Sequence, residues 1–155
     1  MLRISSDLLD QIRAHAAATS DVEVCGLLLG RDGCVEAVVA CDNVADEPAR
    51  RFEIDPAALL AAHRTARAGE APVIGHYHSH PSGVAVPSPR DAADAMPDGM
   101  VWLIVGGREV RAWRAVAAGE VEGRFDPVAI TPTLPAPFRR FAPPSSIGRG
   151  KGPAR

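Results

Sequence analysis

His78 and His80 stand two residues apart in a segment, Val73 to Ser79, whose composition predicts a central strand. Side chains alternate in direction along a strand, so both imidazoles project from one face, which is how two ring nitrogens are brought to one ion. Asp91 follows His80 by eleven residues. Ser88-Pro89 reads as the cap and first position of a short helix whose first turn contains Asp91, and Pro81, Pro87 and Pro89 stiffen the return of the intervening loop toward the strand. Two imidazoles and one carboxylate are ligands that zinc accepts, and three protein ligands leave a fourth tetrahedral position for water, the mark of a catalytic rather than a structural site. Zinc lowers the pKa of its water from about 15.7 to about 7, but a base must still collect the proton and pass it on. Glu23 is the candidate, placed just before the apolar run Val24 to Gly30, at a strand mouth where an acid is costly unless exposed or used. Ser88 is the candidate donor to the oxyanion of a tetrahedral intermediate, with its capping position competing for the same hydroxyl. His76 shares the predicted face of His78 and His80, so spacing alone leaves it open as a replacement ligand, with a satisfied histidine beneath the site as the favoured reading.

These residues need a frame. Leu2 to Ile4 predicts a short strand, and Ser5 or Ser6 caps a helix with Leu8, Leu9, Ile12 and Ala16 on one apolar stripe. Val24 to Gly30 and Cys34 to Cys41 form a hairpin of buried strands around Arg31-Asp32-Gly33, and Arg51 to Ile54 reads as a short strand. Asp55-Pro56 opens a second helix through about Ala68. After the short helix at 89–95, three further strands are expected at Val101 to Val105, Glu109 to Val116 and Glu120 to Phe125. The fold class is α/β in the broad α+β sense, a mixed, largely antiparallel sheet flanked by helices.

The site motifs, Glu23-Val24-Cys25-Gly26-Leu27-Leu28-Leu29-Gly30, then His78-Ser79-His80-Pro81, then Ser88 and Asp91, resemble the JAMM (MPN+, JAB1/MPN/Mov34) metalloprotease signature over roughly residues 1 to 125. The resemblance implies a cytidine-deaminase-like JAMM/MPN fold. It also implies one zinc on His78, His80 and Asp91, Glu23 as acid/base and Ser88 at the oxyanion. The activity implied is cleavage of an isopeptide or peptide bond after the C-terminal glycine of a ubiquitin-like protein, with release of an adduct from a sulfur-carrier protein as the alternative. The partner would present an extended C-terminal tail, laid beside a sheet edge as an added strand. A non-catalytic scaffold that binds protein is the contrasting class, and the complete ligand set argues against it.

The remaining composition sets limits. The chain has 155 residues and a net charge of −2, which divides into +5 over residues 131–155 and −7 over the rest. An acidic body of this kind is a poor general binder of nucleic acid, and no specific nucleic-acid partner is expected. No apolar stretch is long enough to span a bilayer, and three cysteines without a paired pattern fit a reducing compartment, so a cytoplasmic location and no membrane partner are expected. Cys25 is read as a small buried residue rather than a thiol nucleophile. Asn43 and the Arg50-Arg51 pair are read as solvated loop, with the border of a substrate groove as the alternative. The domain is expected to cover 1–126. Residues 127–155, rich in proline and arginine, are expected to form a largely disordered tail.

Overall fold

The computed structural model describes residues 1–135. Eight strands form one sheet in the order β7-β6-β5-β4-β2-β3-β1-β8. In chain order the elements are β1 (Leu2–Ser5), α1 (Ser6–Ala18), β2 (Cys25–Arg31), β3 (Cys34–Cys41), α2 (Pro56–Arg67), β4 (Val73–His80), α3 (Pro89–Asp94), β5 (Val101–Gly106), β6 (Glu109–Ala115), β7 (Phe125–Val128) and β8 (Ile130–Thr133). Four of the seven pairings are antiparallel, and β1–β3, β1–β8 and β4–β5 are parallel, which bears out the expected mixed, largely antiparallel sheet flanked by helices.

The helices start where the sequence supplies donors and acceptors for a cap. Ser5 caps α1 by accepting from the Leu8 amide, and Asp55 caps α2 by accepting from the Ala57 amide, with proline at the first helical position. Leu9 and Ile12 of α1 pack on one face of the sheet with Leu28, Tyr77, Leu103 and Val105. Ala62 of α2 packs on the opposite face with Cys25, Leu27 and Cys41. A third cluster, built on Trp102, Ile104, Trp113 and Phe125, continues that face toward α3. The strand β4 lies between β2 and β5, so its backbone is held in ladders on both sides and its side chains stand in fixed rows.

Three expectations require correction. The segment Glu120 to Phe125 is not a strand. Glu122 and Gly123 take φ values of 52° and 67°, a left-handed pair that makes a turn closed by the Val121–Phe125 bridge, and β7 starts only at Phe125. Arg51 to Ile54 forms only the single bridge Asn43–Ile54. The domain does not end at residue 126, because β7 runs to Val128 and β8 pairs in parallel with β1, Leu2 facing Ile130 and Ser5 facing Thr133. Pro127 and Pro132 hid these strands. Both lie on edge strands, the positions in a sheet that tolerate a residue without an N–H. The rest of the expected tail, 136–155, lies outside the described residues.

Truncation separates the two boundaries. A chain ending at Asp126 loses β8, the last two residues of β7 and the bond from the Leu2 amide to the Ala129 carbonyl, 2.8 Å, while one ending at Pro135 keeps all three. The shorter chain is expected to melt at least about 4 °C below the longer, since each kcal/mol moves the midpoint by about 2–4 °C in a chain of about 150 residues. Equal midpoints in a calorimetric scan would show that β8 adds nothing to stability.

Candidate metal centre

The alternation along β4 sends His78 and His80 to the face that carries α2 and α3, and Tyr77 and Ser79 to the face that carries α1. Their ring nitrogens converge, with Nε2 of His78 and Nε2 of His80 3.0 Å apart. Asp91 Oδ2 reaches the same point, 3.3 Å from His78 Nε2 and 3.1 Å from His80 Nε2. Glu23 lies a step farther out, its Oε1 3.8 Å and 3.7 Å from the two nitrogens. One donor atom from each of the four residues falls within 4.8 Å of the others, and His76 is not among them.

Each side chain is aimed by its own local structure. Ser88 and Asp91 form a reciprocal capping box on α3, in which Ser88 Oγ accepts from the Asp91 amide at 3.0 Å and Asp91 Oδ2 accepts from the Ser88 amide at 2.9 Å. The expected loop return is therefore made, and the cap itself fixes the carboxylate. The cap uses a lone pair of the Ser88 hydroxyl and leaves its proton free to be donated, which removes the competition anticipated from the sequence. His80 Nδ1 lies 2.8 Å from the Val84 carbonyl, and donation there leaves Nε2 with its lone pair turned toward the cluster. The Val84 carbonyl is brought in because Gly106, beside His80 on β5, has no side chain. A Cβ there would stand 2.5 Å from the Ala85 nitrogen and 2.6 Å from the Val84 carbonyl carbon. The His78 ring is stacked on Phe52, centroids 4.2 Å apart and planes 20° apart.

The electrostatics of this pocket fit a cation. His78 is fully buried, and Glu23 and Asp91 are buried. Burial opposes the charged form of Asp91, but hydrogen bonds with His78 and His80 outweigh it and hold its pKa well below the usual carboxylate range. Burial also pushes Glu23 up to about 7, with His80 opposing the shift and the Asp91 charge adding to it. For His80, burial favours the neutral ring, yet Asp91, the Val84 carbonyl and Glu23 together raise its pKa. His78 is lowered by burial against the pull of Asp91. A neutral His80 that donates from Nδ1 sets an imidazole lone pair against a carboxylate lone pair at 3.1 Å, an arrangement that repels unless a positive ion or proton lies between. A tetrahedral ion bonded at about 2.0–2.1 Å separates its ligands by about 3.4 Å, close to the spacing found here. Glu23 Oε2 is buried without a hydrogen-bond partner.

His76 turns out to be packing. It meets the edge of Trp102 at 4.4 Å, and its pKa is pushed down to about 3 by burial, with His78 adding to the shift. The Cys25 thiol is buried and pushed up to about 12, first by burial, so it is no nucleophile. Sequence reasoning missed Phe52, Gly106 and the Val84 carbonyl. It also placed Asn43 in solvated loop, whereas its amide donates to the Glu23 carbonyl at 2.8 Å. No spacing rule marks these residues, since each acts across a long stretch of sequence. A cleft of about 340 Å³ lies beside Glu23 and Asn43, and one of about 180 Å³ opens past His80 and Gly83 on the α1 side of the sheet, lined also by Ala16, Ser79 and Val105. Among the described residues, no helix is long and apolar enough to cross a membrane.

Residues 5–116 match the family model described as prokaryotic homologs of the JAB domain. A Thermus thermophilus protein named as a probable TtuB-protein conjugate cleaving protease is 38% identical over 95 residues, covering 61% of this chain and 64% of that relative, so the match spans less than two thirds of it. A Haloferax volcanii protein named desampylase is 35% identical over 109 residues, covering 66% of this chain and 78% of the relative. Among solved structures, one of a Desulfitobacterium hafniense protein shares 27% identity over 87% of this chain and 94% of that one, with a TM-score of 0.74. A JAB1/MPN domain protein from Archaeoglobus fulgidus, 18% identical over 85% of this chain and 97% of that one, shares the fold with a TM-score of 0.54.

Two measurements follow from the cluster. Of the three proposed ligands, His80 has a raised pKa and must give up its Nε2 proton before a cation binds, whereas His78 and Asp91 are both lowered. Zinc affinity of the purified chain is therefore expected to fall as pH drops through the raised pKa of His80, by about tenfold per pH unit for each proton displaced, measured by calorimetry in buffers of different ionisation enthalpy. An affinity flat between pH 7 and pH 5.5 would contradict that proton count. The substitution Gly106→Ala pushes the Val84 carbonyl off His80 and is expected to weaken zinc binding by about 10–100-fold, and unaltered binding would show that this hydrogen bond does not orient the ring.

Proposed function

The chain belongs to the family of prokaryotic JAB-domain homologs, and from that premise we propose that it is a zinc-dependent isopeptidase or peptidase that cleaves after the C-terminal glycine of a ubiquitin-like protein or its adducts. One observation carries the reading, the convergence of His78, His80 and Asp91 on one point with Glu23 just beyond it. The names of the two relatives, a protease that cleaves TtuB-protein conjugates and a desampylase, support a conjugate of a small modifier protein as the substrate class. Release of an adduct from a sulfur-carrier protein is a narrower form of the same reaction at the same site. A scaffold that only binds protein gives no account of three buried or half-buried ligands aimed at one point.

His78, His80 and Asp91 would hold the zinc, and when bound it supplies Lewis acidity and a water acidic enough to ionise near neutral pH. Glu23 is the residue that moves protons. Its carboxylate, buried and with a pKa brought to about 7, takes a proton from the attacking water and returns it to the leaving nitrogen. A group that accepts and then donates works best when its pKa lies near the working pH, and here burial is the main cause of that match. The Ser88 hydroxyl, with its proton free, is the donor proposed for the developing oxyanion.

The test sets the purified chain, loaded with zinc, against linear fusions and lysine conjugates of ubiquitin-like proteins, with products read by mass spectrometry. Cleavage directly after the terminal glycine is expected. Glu23→Gln, which keeps size but not basicity, should lower kcat by about 10²–10⁴-fold while zinc remains bound. Activity retained by that variant would remove Glu23 from its role, and a wild-type chain inert toward every fusion and conjugate would overturn the reading.

A further inference from the structure

Val24 is tied to β4, its amide donating to Ser79 Oγ at 2.9 Å and its carbonyl accepting from the Ser79 amide at 3.0 Å, but Glu23, two residues before β2, makes no ladder bond of its own. Both of its backbone polar groups are instead taken up by the excursion 42–55. Its amide donates to the Pro48 carbonyl at 2.7 Å. Its carbonyl accepts from Asn43 Nδ2 at 2.8 Å. The Asn43 side chain is fully used: Nδ2 also donates to the Arg51 carbonyl at 3.0 Å, and Oδ1 accepts from the amides of Ala45 and Glu53, each at 3.0 Å. Two carbonyls on one side and two amides on the other allow a single orientation of this amide. The excursion is closed beneath it by the Asn43–Ile54 bridge and by the Val44 amide donating to the Glu53 carbonyl at 2.9 Å. Between Arg51 and Glu53, both bonded to Asn43, sits Phe52, whose ring is stacked on His78.

We infer that Asn43 is a positioning residue that keeps the Glu23 carboxylate in register with His78 and His80 by clamping the Glu23 carbonyl to the excursion that carries Phe52. The inference rests on the proposed role of Glu23. The two histidines do not need the clamp to keep their places, because β4 is laddered on both sides. Glu23 does need it: β4 holds the chain only up to Val24, through Ser79, and both of Glu23's own backbone polar groups are bonded to the excursion. Loss of the clamp should therefore separate proton transfer from metal binding: the ligands stay, and the carboxylate wanders. Displacements of about 1 Å in a reacting group are enough to cost about 10²-fold in rate.

Asn43→Asp tests this most directly, because a carboxylate of the same size still accepts from Ala45 and Glu53 but cannot donate to Glu23 or Arg51. Asn43→Ala removes all four bonds and serves as the second variant. Zinc binding, kcat and KM on a linear ubiquitin-like fusion, and hydrogen exchange of the Glu23 amide are measured on the full chain. In Asn43→Asp, kcat is expected to fall by about 10–100-fold, with KM and zinc affinity within about threefold of the parent and exchange at Glu23 faster by about tenfold or more. Unchanged kcat, or a loss confined to KM, would overturn the inference. So would failure of both variants to fold, which would make Asn43 a requirement of the fold rather than of the site. Should the parent chain itself cleave no fusion, the functional reading fails, and exchange at Glu23 still judges the clamp, with an unchanged rate refuting it.

Discussion

Three atoms able to ligate a metal meet in a largely buried space, and that meeting is the constraint the rest of the molecule serves. With His80 donating from Nδ1 to the Val84 carbonyl, its Nε2 lone pair and the Asp91 carboxylate, 3.1 Å apart, repel unless a positive ion or a proton lies between them. A cation turns the repulsion into binding, and burial strengthens the effect because little solvent screens it. The same burial brings Glu23 to a pKa near neutrality, so the environment that favours the ion also prepares the neighbouring carboxylate to exchange protons. The proposed metal ligands and the proposed proton carrier thus draw on one physical cause.

The fold meets this constraint with short, rigid devices. Strand alternation fixes two ligands at once, because β4 is held between β2 and β5. A capping box fixes the third, and the spacing from Ser88 to Asp91 is at once the spacing of a helix cap and that of a metal ligand beside its proposed oxyanion donor. This double use explains why the site was legible in the sequence. His78, His80, Ser88 and Asp91 are related by local rules, the period of a strand and the geometry of a first helical turn, and local rules survive in a linear text. The helices at Ser5 and Asp55 and most of the strands were legible for the same reason.

What escaped was set by contacts across the sequence or by residues with conflicting signals. Phe52 stacks on a histidine 26 positions away, and the need for glycine at position 106 arises from a loop that passes against it. Asn43 looked like any polar loop residue until its four partners were in place. The proline-rich stretch after Asp126 carried the composition of a tail, yet residues 125–133 form the two edge strands, where proline costs least. His76 was the reverse case. Alternation put it on the ligand face, and only the depth of the aromatic cluster around Trp102 shows it to be packing.

The proposed chemistry stands or falls on where the ion sits. Diffraction from crystals of the zinc-loaded chain, collected on both sides of the zinc absorption edge, locates it without reference to activity. A single anomalous peak is predicted about 2.0–2.2 Å from His78 Nε2, His80 Nε2 and an Asp91 carboxylate oxygen, with Glu23 outside bonding distance. A peak that takes Glu23 or His76 as a direct ligand, or no peak at this point in crystals that contain zinc, would contradict the account.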